Sequence, residues 1–392
     1  MQSTLRLKTI LGHLRVNTAY HEQVEKLSQN SCCASAPLIQ DKEFRYTRNC
    51  SLLSRTEKQF YEDNGYLIVK NLVSEHVLNS CRDHFLDLCN GVCPLQGMFL
   101  MKEPSLERQG ATGEHLYYKI QDLLYGMFLM KEPSLERDHF LDLCNGVCPL
   151  QGMFLMKEPS LERQGATGEH VYYKVQDILY DNVFSSYTAL PKLLDYVQCF
   201  TGPNITAVHS MLINKPPDAQ ENTVHPLHQD LLYFPFRPAD LIVGVWTAME
   251  TVDSDNGCLV VVPGSHKNGK LHRHATQQFQ TGAFKTFYGV KDMQDTEVVP
   301  LHMEKGDTVF LHPLLIHGSG PNKSKRFRKA ISCHYAASEC EIINVEDNAE
   351  YKDVAREFEA SASKSRGVPF DFATIMKLRC VVVRGSEGFT AL

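Results

Sequence analysis

The sequence predicts a mainly β fold, a sandwich or jelly roll, with α-helices flanking it. Short apolar stretches recur at regular spacing from Ile205 onward: ITAVHSMLINK, HPLHQD, LIVGVWTAME, GCLVVVPG, DTVFLHPLLIHG and KAISCHYAA. Turn-forming clusters separate them, among them Pro216-Pro217-Asp218, Asp255-Asn256-Gly257 and Lys305-Gly306-Asp307. Many short strands divided by such turns are the pattern of a double-layered or closed β fold, one mouth of which can hold a metal. Helical spacing is found ahead of these strands.

Length and composition bound the class. At 392 residues the chain is long enough for a large core, and 43% hydrophobic with 22% charged residues is the make-up of a globular protein. A formal charge of -6 argues against a nucleic-acid binder. No apolar run approaches the ~18 residues of a membrane span. The 13 cysteines are irregularly spaced, and Cys89-x3-Cys93 returns as Cys144-x3-Cys148 only because the surrounding segment returns. They read as reduced thiols of an intracellular protein. A four-cysteine zinc site is the less favoured alternative, since Cys-x2-Cys is the commoner spacing.

The chain opens on a leader, residues 1–37, ahead of one catalytic domain over residues 44–392. The first twenty residues hold Arg6, Lys8 and Arg15 but no Asp or Glu, and no apolar stretch long enough for secretion. Arg6-Leu7 and His13-Leu14 are seven residues apart, close to two helical turns, so both pairs fall on one face. A mitochondrial presequence or an ordinary amphipathic start has the same composition. The C-terminal GFTAL is not an S-K-L address.

From Thr56, TEKQFYEDNGYLIVKNLVS reads as a helix, a turn at Asn64-Gly65 and a short apolar strand. A second helix follows from Ser74, with Val77, Leu78 and Cys81 at helical spacing. Then the chain repeats itself. Asp83 to Tyr125 and Asp138 to Tyr180 are the same 43-residue sequence with three conservative differences, Leu116/Val171, Ile120/Val175 and Leu123/Ile178. Between the copies, Gly126 to Arg137 repeats Gly97 to Arg108 once more. Two copies are too few for a solenoid, which needs about three stacked units. One unit already completes the fold, so the 55-residue offset reads as a duplicated exon or a misassembled gene sequence, with an extra lobe beside the site as the alternative.

The chemistry-bearing stretch is HPLHQDLLYFPFRP, His225 to Pro238. His228 and Asp230 are two apart, and on an extended strand such residues point to the same side. A third ligand stands far downstream, at His317 in HPLLIHGSG. Two imidazoles and one carboxylate on one face of Fe(II) make the facial triad of non-haem oxygenases, with open positions for a co-substrate and dioxygen. An H-x-D pair alone is a weak signal in a chain with 17 histidines. It is strengthened by Ser319, two residues after His317, and by Arg328, eleven after it. A fixed arginine fork there suits the distal carboxylate of 2-oxoglutarate.

HPLHQD, FPFRP, WTAME, NGCLVVVPGSHK, EKGDTVFLHPLLIHGSG and FRKAISCHY, in this order, resemble the phytanoyl-CoA dioxygenase family, from about Phe44 to the C-terminus. The resemblance sharpens the fold to a double-stranded β-helix, the cupin-like jelly roll of these oxygenases. It implies Fe(II) on His228, Asp230 and His317, with 2-oxoglutarate and O2 as co-substrates and ascorbate in support. It implies a 2-oxoglutarate site of Lys174, Met211, Gln229, Trp246, Ser319 and Arg328. The implied reaction is 2-hydroxylation of a 3-methyl-branched acyl-CoA such as phytanoyl-CoA, coupled to decarboxylation of 2-oxoglutarate to succinate and CO2. That is the first oxidative step of fatty acid α-oxidation. The face carrying Arg6, Leu7, His13 and Leu14 resembles an N-terminal address read by the peroxisomal import receptor, which implies the peroxisomal matrix and a leader that is cleaved or disordered. Two further readings stay open: the same chemistry on another lipid or small molecule, and a binding protein silenced by the insertion.

Several residues have rivals. Lys174 in YYKVQD has a twin, Lys119 in YYKIQD, and Lys174 is expected because it runs directly into the downstream chain. Trp246, the single Trp, is as well suited to a core as to a pocket wall, and Met211 likewise. His225 lies three before His228, which on a strand turns it to the opposite face. His312 lies five before His317, again odd parity, unless Pro313 breaks the strand. Which member of each pair binds iron follows from the resemblance, not from spacing. His266, His272 and His274 read as surface residues of a polar loop. Arg326 shares a face with Arg328, and the FRK context selects Arg328.

Overall fold

The computed structural model describes residues 44–93, 154–157, 165–217, 223–276, 288–291, 296–345 and 371–386, with a few others near 293, 355 and 388. Arg6, Leu7, His13, Leu14 and Lys119 lie outside the described residues. The chain divides into residues 1–44 and 45–392, and the fold described is that of the second unit.

Helix α1 (Arg55–Asn64) leads into strand β1 (Tyr66–Val69), and helix α2 (Glu75–Cys89) follows. Strands β2 (Phe154–Lys157) and β3 (Tyr172–Gln176) precede the helical turn α3 (Ser185–Thr188), helix α4 (Pro191–Thr201) and strand β4 (Ile205–Lys215). Next come β5 (His225–His228), β6 (Phe236–Arg237), β7 (Ile242–Ala248), β8 (Leu259–Val261), β9 (His274–Thr276) and β10 (Tyr288–Val290). After these stand β11 (Val299–Leu301), β12 (Thr308–Leu311), β13 (His317–Ser319), β14 (Arg328–Ala337) and β15 (Glu341–Ile342). Helix α5 (Phe372–Arg379) and strand β16 (Val381–Arg384) come last. No helix among the described residues is long and apolar enough to cross a membrane.

Local chemistry sets the helix ends. A capping box starts α1: the Ser54 hydroxyl accepts from the Glu57 N–H while the Glu57 carboxylate accepts from the Ser54 N–H. Gly65 ends it with φ 78°, a left-handed turn that feeds the chain into β1 as the Asn64-Gly65 signal predicts. Pro191 begins α4, where a missing N–H costs nothing, and Leu193, Leu194, Val197 and Phe200 form its buried side.

The strands form two main sheets. The larger has the order β1-β12-β7-β14-β4-β3-β2, with β16 also paired to β4, and the smaller has the order β11-β8-β13-β5. In chain order β4, β7, β12 and β14 belong to the first sheet and β5, β8, β11 and β13 to the second, and their pairings are antiparallel. This is the double-stranded β-helix.

Register then decides what each face carries. On β14, Arg328, Ala330 and Ser332 lie opposite Lys215, Ile213 and Met211 of β4, and Ser332 lies opposite Trp246 of β7. On β3, Lys174 lies opposite Ile213. Cross-strand partners share a face, and side chains two apart do too, so all of these residues point one way. That way is toward the smaller sheet: Trp246, Ala248 and Ala330 pack with Leu259, Val261 and Leu301. The alternate residues Leu212, Val245, Phe310 and Ile331 pack outward with Leu78 and Phe85 of α2 and Val197 and Phe200 of α4. Helices therefore cover one side of the larger sheet and leave the other facing the smaller sheet.

The repeat is used in pieces. Helix α2 ends inside the first copy, whereas β2 and β3 belong to the second, so among the described residues each of these elements is present once. Val171, Val175 and Ile178, where the second copy differs from the first, are all buried. One sequence expectation is corrected: Cys50 and Cys199 form a disulfide, with Cα atoms 5.6 Å apart, so the cysteines are not all free thiols. Irregular spacing in sequence hid a pair that the packing of α4 against the segment before α1 brings together.

Candidate metal centre and co-substrate pocket

Strand β5 ends at His228, Gln229 stays extended at φ -121° and ψ 126°, and a 3-10 turn begins at Asp230. The alternation of H-x-D holds, although the carboxylate sits on a turn and not on the strand that the spacing suggested. His317 opens β13 directly opposite His228. One ligand atom each from His228, Asp230 and His317 lies within 4.8 Å of the others. His228 Nε2 is 3.3 Å and His317 Nε2 3.6 Å from Asp230 Oδ1. All three residues are buried.

Each ligand is held from behind. His228 Nδ1 donates to the Pro226 carbonyl at 2.9 Å, and His317 Nδ1 donates to the Leu315 carbonyl at 3.0 Å. A carbonyl only accepts, so Nδ1 carries the hydrogen in both rings and both Nε2 lone pairs face the carboxylate. Asp230 Oδ2 accepts from His334 Nε2 at 3.0 Å, which leaves Oδ1 toward the imidazoles. Burial works to raise the Asp230 carboxyl, yet the surrounding imidazoles, His317 first and then His334 with its hydrogen bond, hold it well below the usual carboxylate range. Burial pushes the His317 imidazole down to about 4, with Asp230 opposing. A charged carboxylate and lone pairs free of hydrogen are the ligand states a divalent first-row metal requires, and the donor set fits Fe(II). Among the described residues this is the one cluster of His, Cys, Asp and Glu able to hold a metal ion.

The family profile described as "Phytanoyl-CoA dioxygenase (PhyH)" matches residues 61–330. The chain belongs to the phytanoyl-CoA dioxygenase family. It is 39% identical over 386 residues to "Phytanoyl-CoA dioxygenase, peroxisomal" of Rattus norvegicus, covering 97% of each chain. The Homo sapiens protein of that name is 37% identical over 99% of this chain and 98% of its own. "Probable phytanoyl-CoA dioxygenase" of Caenorhabditis elegans is 38% identical over 87% of this chain and 96% of its own.

The residues expected to hold a co-substrate in a phytanoyl-CoA dioxygenase lie mostly on the pocket face. Arg328 is 1% exposed, and its Nε and Nη1 have no hydrogen-bond partner among the described residues. Burial pushes its guanidinium down to about 10, and the group lies 5.6 Å above the Trp246 ring. A buried guanidinium with two donors unmatched is costly, and an anion would offset that cost. Trp246 packs in the inter-sheet core and lies under the Arg328 guanidinium. Ser319 is two residues beyond His317 on β13, and its hydroxyl accepts from Lys215 Nζ at 2.8 Å. Met211 is half-buried on the pocket face. Lys174 is half-buried with its ammonium end enclosed, which lowers it to about 8 against the opposing pull of Asp177.

Other residues depart from expectation. The Gln229 amide donates to the carbonyls of Lys270 and Leu314 at 2.9 and 2.7 Å and accepts from the His272 N–H at 2.7 Å. Its side chain braces the loop before β9 instead of facing the pocket, as the residue between two same-side ligands must. His225 is not turned away from His228: their rings meet edge to face at 4.3 Å. A bulge explains it, because three steps of β5 pair with two of β13. His266 is not a surface residue but fully buried, against Tyr46 and His312. His274 is half-buried and accepts from the Gln229 N–H at 3.0 Å. Arg326 pairs with Asp253 at the surface. Sequence reasoning missed His334 and Lys215, although each is an even number of residues from Arg328 or Met211 on the same strand.

Proposed function

We propose that this protein is an Fe(II)- and 2-oxoglutarate-dependent dioxygenase that hydroxylates a 3-methyl-branched fatty acyl-CoA, such as phytanoyl-CoA, at C2. The reaction also converts 2-oxoglutarate and O2 to succinate and CO2. The observation that carries the reading is the triad together with a buried Arg328 whose Nε and Nη1 have no partner among the described residues, in a family member. His228, Asp230 and His317 would hold the iron, which when bound supplies the activation of dioxygen. Arg328 fixes one end of the co-substrate through two parallel hydrogen bonds to its distal carboxylate. Ser319 and Lys174 add donors, and Trp246 and Met211 exclude water from around it. Holding both ends of a small, flexible diacid is positioning chemistry, and it accounts for why these side chains converge on one face. Ascorbate would serve as the accompanying reductant.

The rat and human relatives named above are called peroxisomal, and the face with Arg6, Leu7, His13 and Leu14 supports the same destination for this chain through the import receptor. A reporter fused to residues 1–37 is expected in peroxisomes, and Leu7→Ala should leave it in the cytosol. For the activity, succinate release by the iron-loaded chain is measured with and without phytanoyl-CoA. Substrate-dependent succinate that vanishes in His317→Ala is expected. Succinate formed with another lipid but never with phytanoyl-CoA would remove the acyl-CoA assignment.

A further inference from the structure

Lys215, the last residue of β4, stands directly opposite Arg328 across the β14–β4 ladder. Cross-strand partners project to the same side, so two cations enter the pocket from neighbouring strands. Both are buried, Lys215 being 3% exposed, and among the described residues neither forms an ion pair. Like charges so placed repel, and the low-dielectric surroundings strengthen the repulsion. Burial, then the Arg328 charge, lowers the Lys215 ammonium well below the usual lysine range.

What Lys215 does touch is informative. Its Nζ donates to Ser319 Oγ at 2.8 Å and to the Gly320 carbonyl at 2.5 Å. An ammonium has donors only, so Ser319 Oγ must accept, and its own hydrogen is left to donate elsewhere. Ser319 and His317 are two apart on β13, so that hydrogen is delivered on the side of the metal ligands. Asn322 locks the arrangement: its amide donates to the carbonyls of Lys215, Pro216 and Arg326 at 2.9, 3.0 and 2.7 Å. The end of β4 and the approach to β14 are thereby tied together.

We propose that Lys215 is a positioning residue of the co-substrate pocket, turning the Ser319 hydroxyl toward the distal carboxylate of a 2-oxo diacid and sharing with Arg328 the neutralisation of that carboxylate. The inference rests on the reading of the Arg328 pocket as the 2-oxoglutarate site. It explains why a lysine ends this strand, buried, with only neutral partners among the described residues.

The test uses the full chain with Mn(II) in place of iron and follows emission from Trp246, the single Trp, which Arg328 overlies. The probes are 2-oxoglutarate and 2-oxopentanoate, the same chain without the distal carboxylate. Lys215→Met, neutral and of similar length, should weaken 2-oxoglutarate about ten- to hundredfold while leaving 2-oxopentanoate within about twofold of wild type. Ser319→Ala, which removes only the oriented hydroxyl, should lose discrimination in the same direction, and adding it to Lys215→Met should cost little more. Equal weakening of both acids in Lys215→Met and in Ser319→Ala would mean a structural role and overturn the proposal. So would a Lys215→Met protein that still discriminates while Arg328→Met does not. A wild-type protein indifferent to the distal carboxylate would instead overturn the pocket reading, and the proposal with it.

Discussion

The imidazole of His334 donates from Nε2 to Asp230 Oδ2 at 3.0 Å, while the other oxygen of that carboxylate faces His228 and His317. An aspartate can turn either oxygen to a metal, and this bond from β14 decides which one is free. His334 is itself wedged between the rings of Phe234, 4.9 Å away, and His209, 5.7 Å away. Groups that orient metal ligands in this manner are typically worth about ten- to hundredfold in metal affinity. His334→Phe is expected to weaken Mn(II) binding by that factor in calorimetric titration. Its packing with Phe234 should keep the melting temperature within a few degrees. His334→Gln, which retains a donor, should recover part of the loss. Unchanged metal affinity in the phenylalanine variant would mean that Asp230 needs no such support.

Gly244 belongs to the same arrangement. It lies opposite His334 on β7, and a Cβ there would come 3.1 Å from Asp230 Oδ2 and 3.2 Å from His334 Cδ2. Its backbone is ordinary strand, so the glycine is required by space and not by conformation. Gly244→Ala should push the carboxylate and the imidazole apart and weaken metal binding about tenfold, in line with other losses of ligand support. The fold should survive, because neighbouring β7 residues keep their pairing. A variant that binds Mn(II) as wild type does would show that the carboxylate has room to move.

The triad was legible because its chemistry demands particular residue types in a fixed order. The jelly roll was legible because turns punctuate short apolar runs. Sequence reading failed where the chain leaves its regular period. The β5 bulge carried His225 to the His228 side, and a bulge leaves no mark in a count of residues. His266 sits among polar turn residues and so looked exposed. Its burial depends on Gly65, some two hundred residues away in sequence, where a Cβ would lie 2.5 Å from the imidazole Nδ1. Lys215 and His334 share strand parity with recognised site residues. Parity nominates a face, however, and cannot say which polar side chain on that face will find a partner.

The His266 cluster makes stability depend on pH. His266 Nε2 donates to the Glu62 carbonyl at 3.1 Å, His312 Nε2 is 3.6 Å from Asp240 Oδ1, and Tyr46 packs edge-on against both rings. Burial pushes His266 down to about 4 and lowers His312 as well, with Asp240 opposing the second shift. Above the ordinary histidine value both states are neutral and pH has no effect through these groups. Between about 6.5 and 4 the unfolded chain binds protons that the folded one refuses, so stability falls as pH falls. Below about 4 the His266 contribution levels off. The His266 part should be about 2 kcal/mol, reduced from the full shift because the Arg45 side of the cluster is open to water. Denaturant unfolding from pH 7.5 to 4.5 should show the slope, and His266→Gln should flatten it. An identical slope in the variant would assign the acid sensitivity to other groups.

The repeat leads to a prediction about the whole chain. Helix α2 uses the first copy up to Cys89, β2 and β3 use the second, and residues 94–148 lie outside the described residues. Removing residues 94–148 joins Cys93 to Pro149 and leaves one uninterrupted copy. This variant is expected to keep its melting temperature within a few degrees and to retain Mn(II) binding, since every described element, Lys174 included, is preserved. Removing residues 126–180 instead also leaves one copy, but it carries Leu116, Ile120 and Leu123 where the other has Val171, Val175 and Ile178. Those three positions are buried, and two of the exchanges add a methylene to a filled core. Overpacking of that kind costs about 1–3 kcal/mol. The second variant should therefore melt several degrees below the first while binding metal equally well. Equal melting temperatures would mean that the core around β3 adapts to either copy. Loss of metal binding in the first variant would mean that the repeated segment supports the site itself.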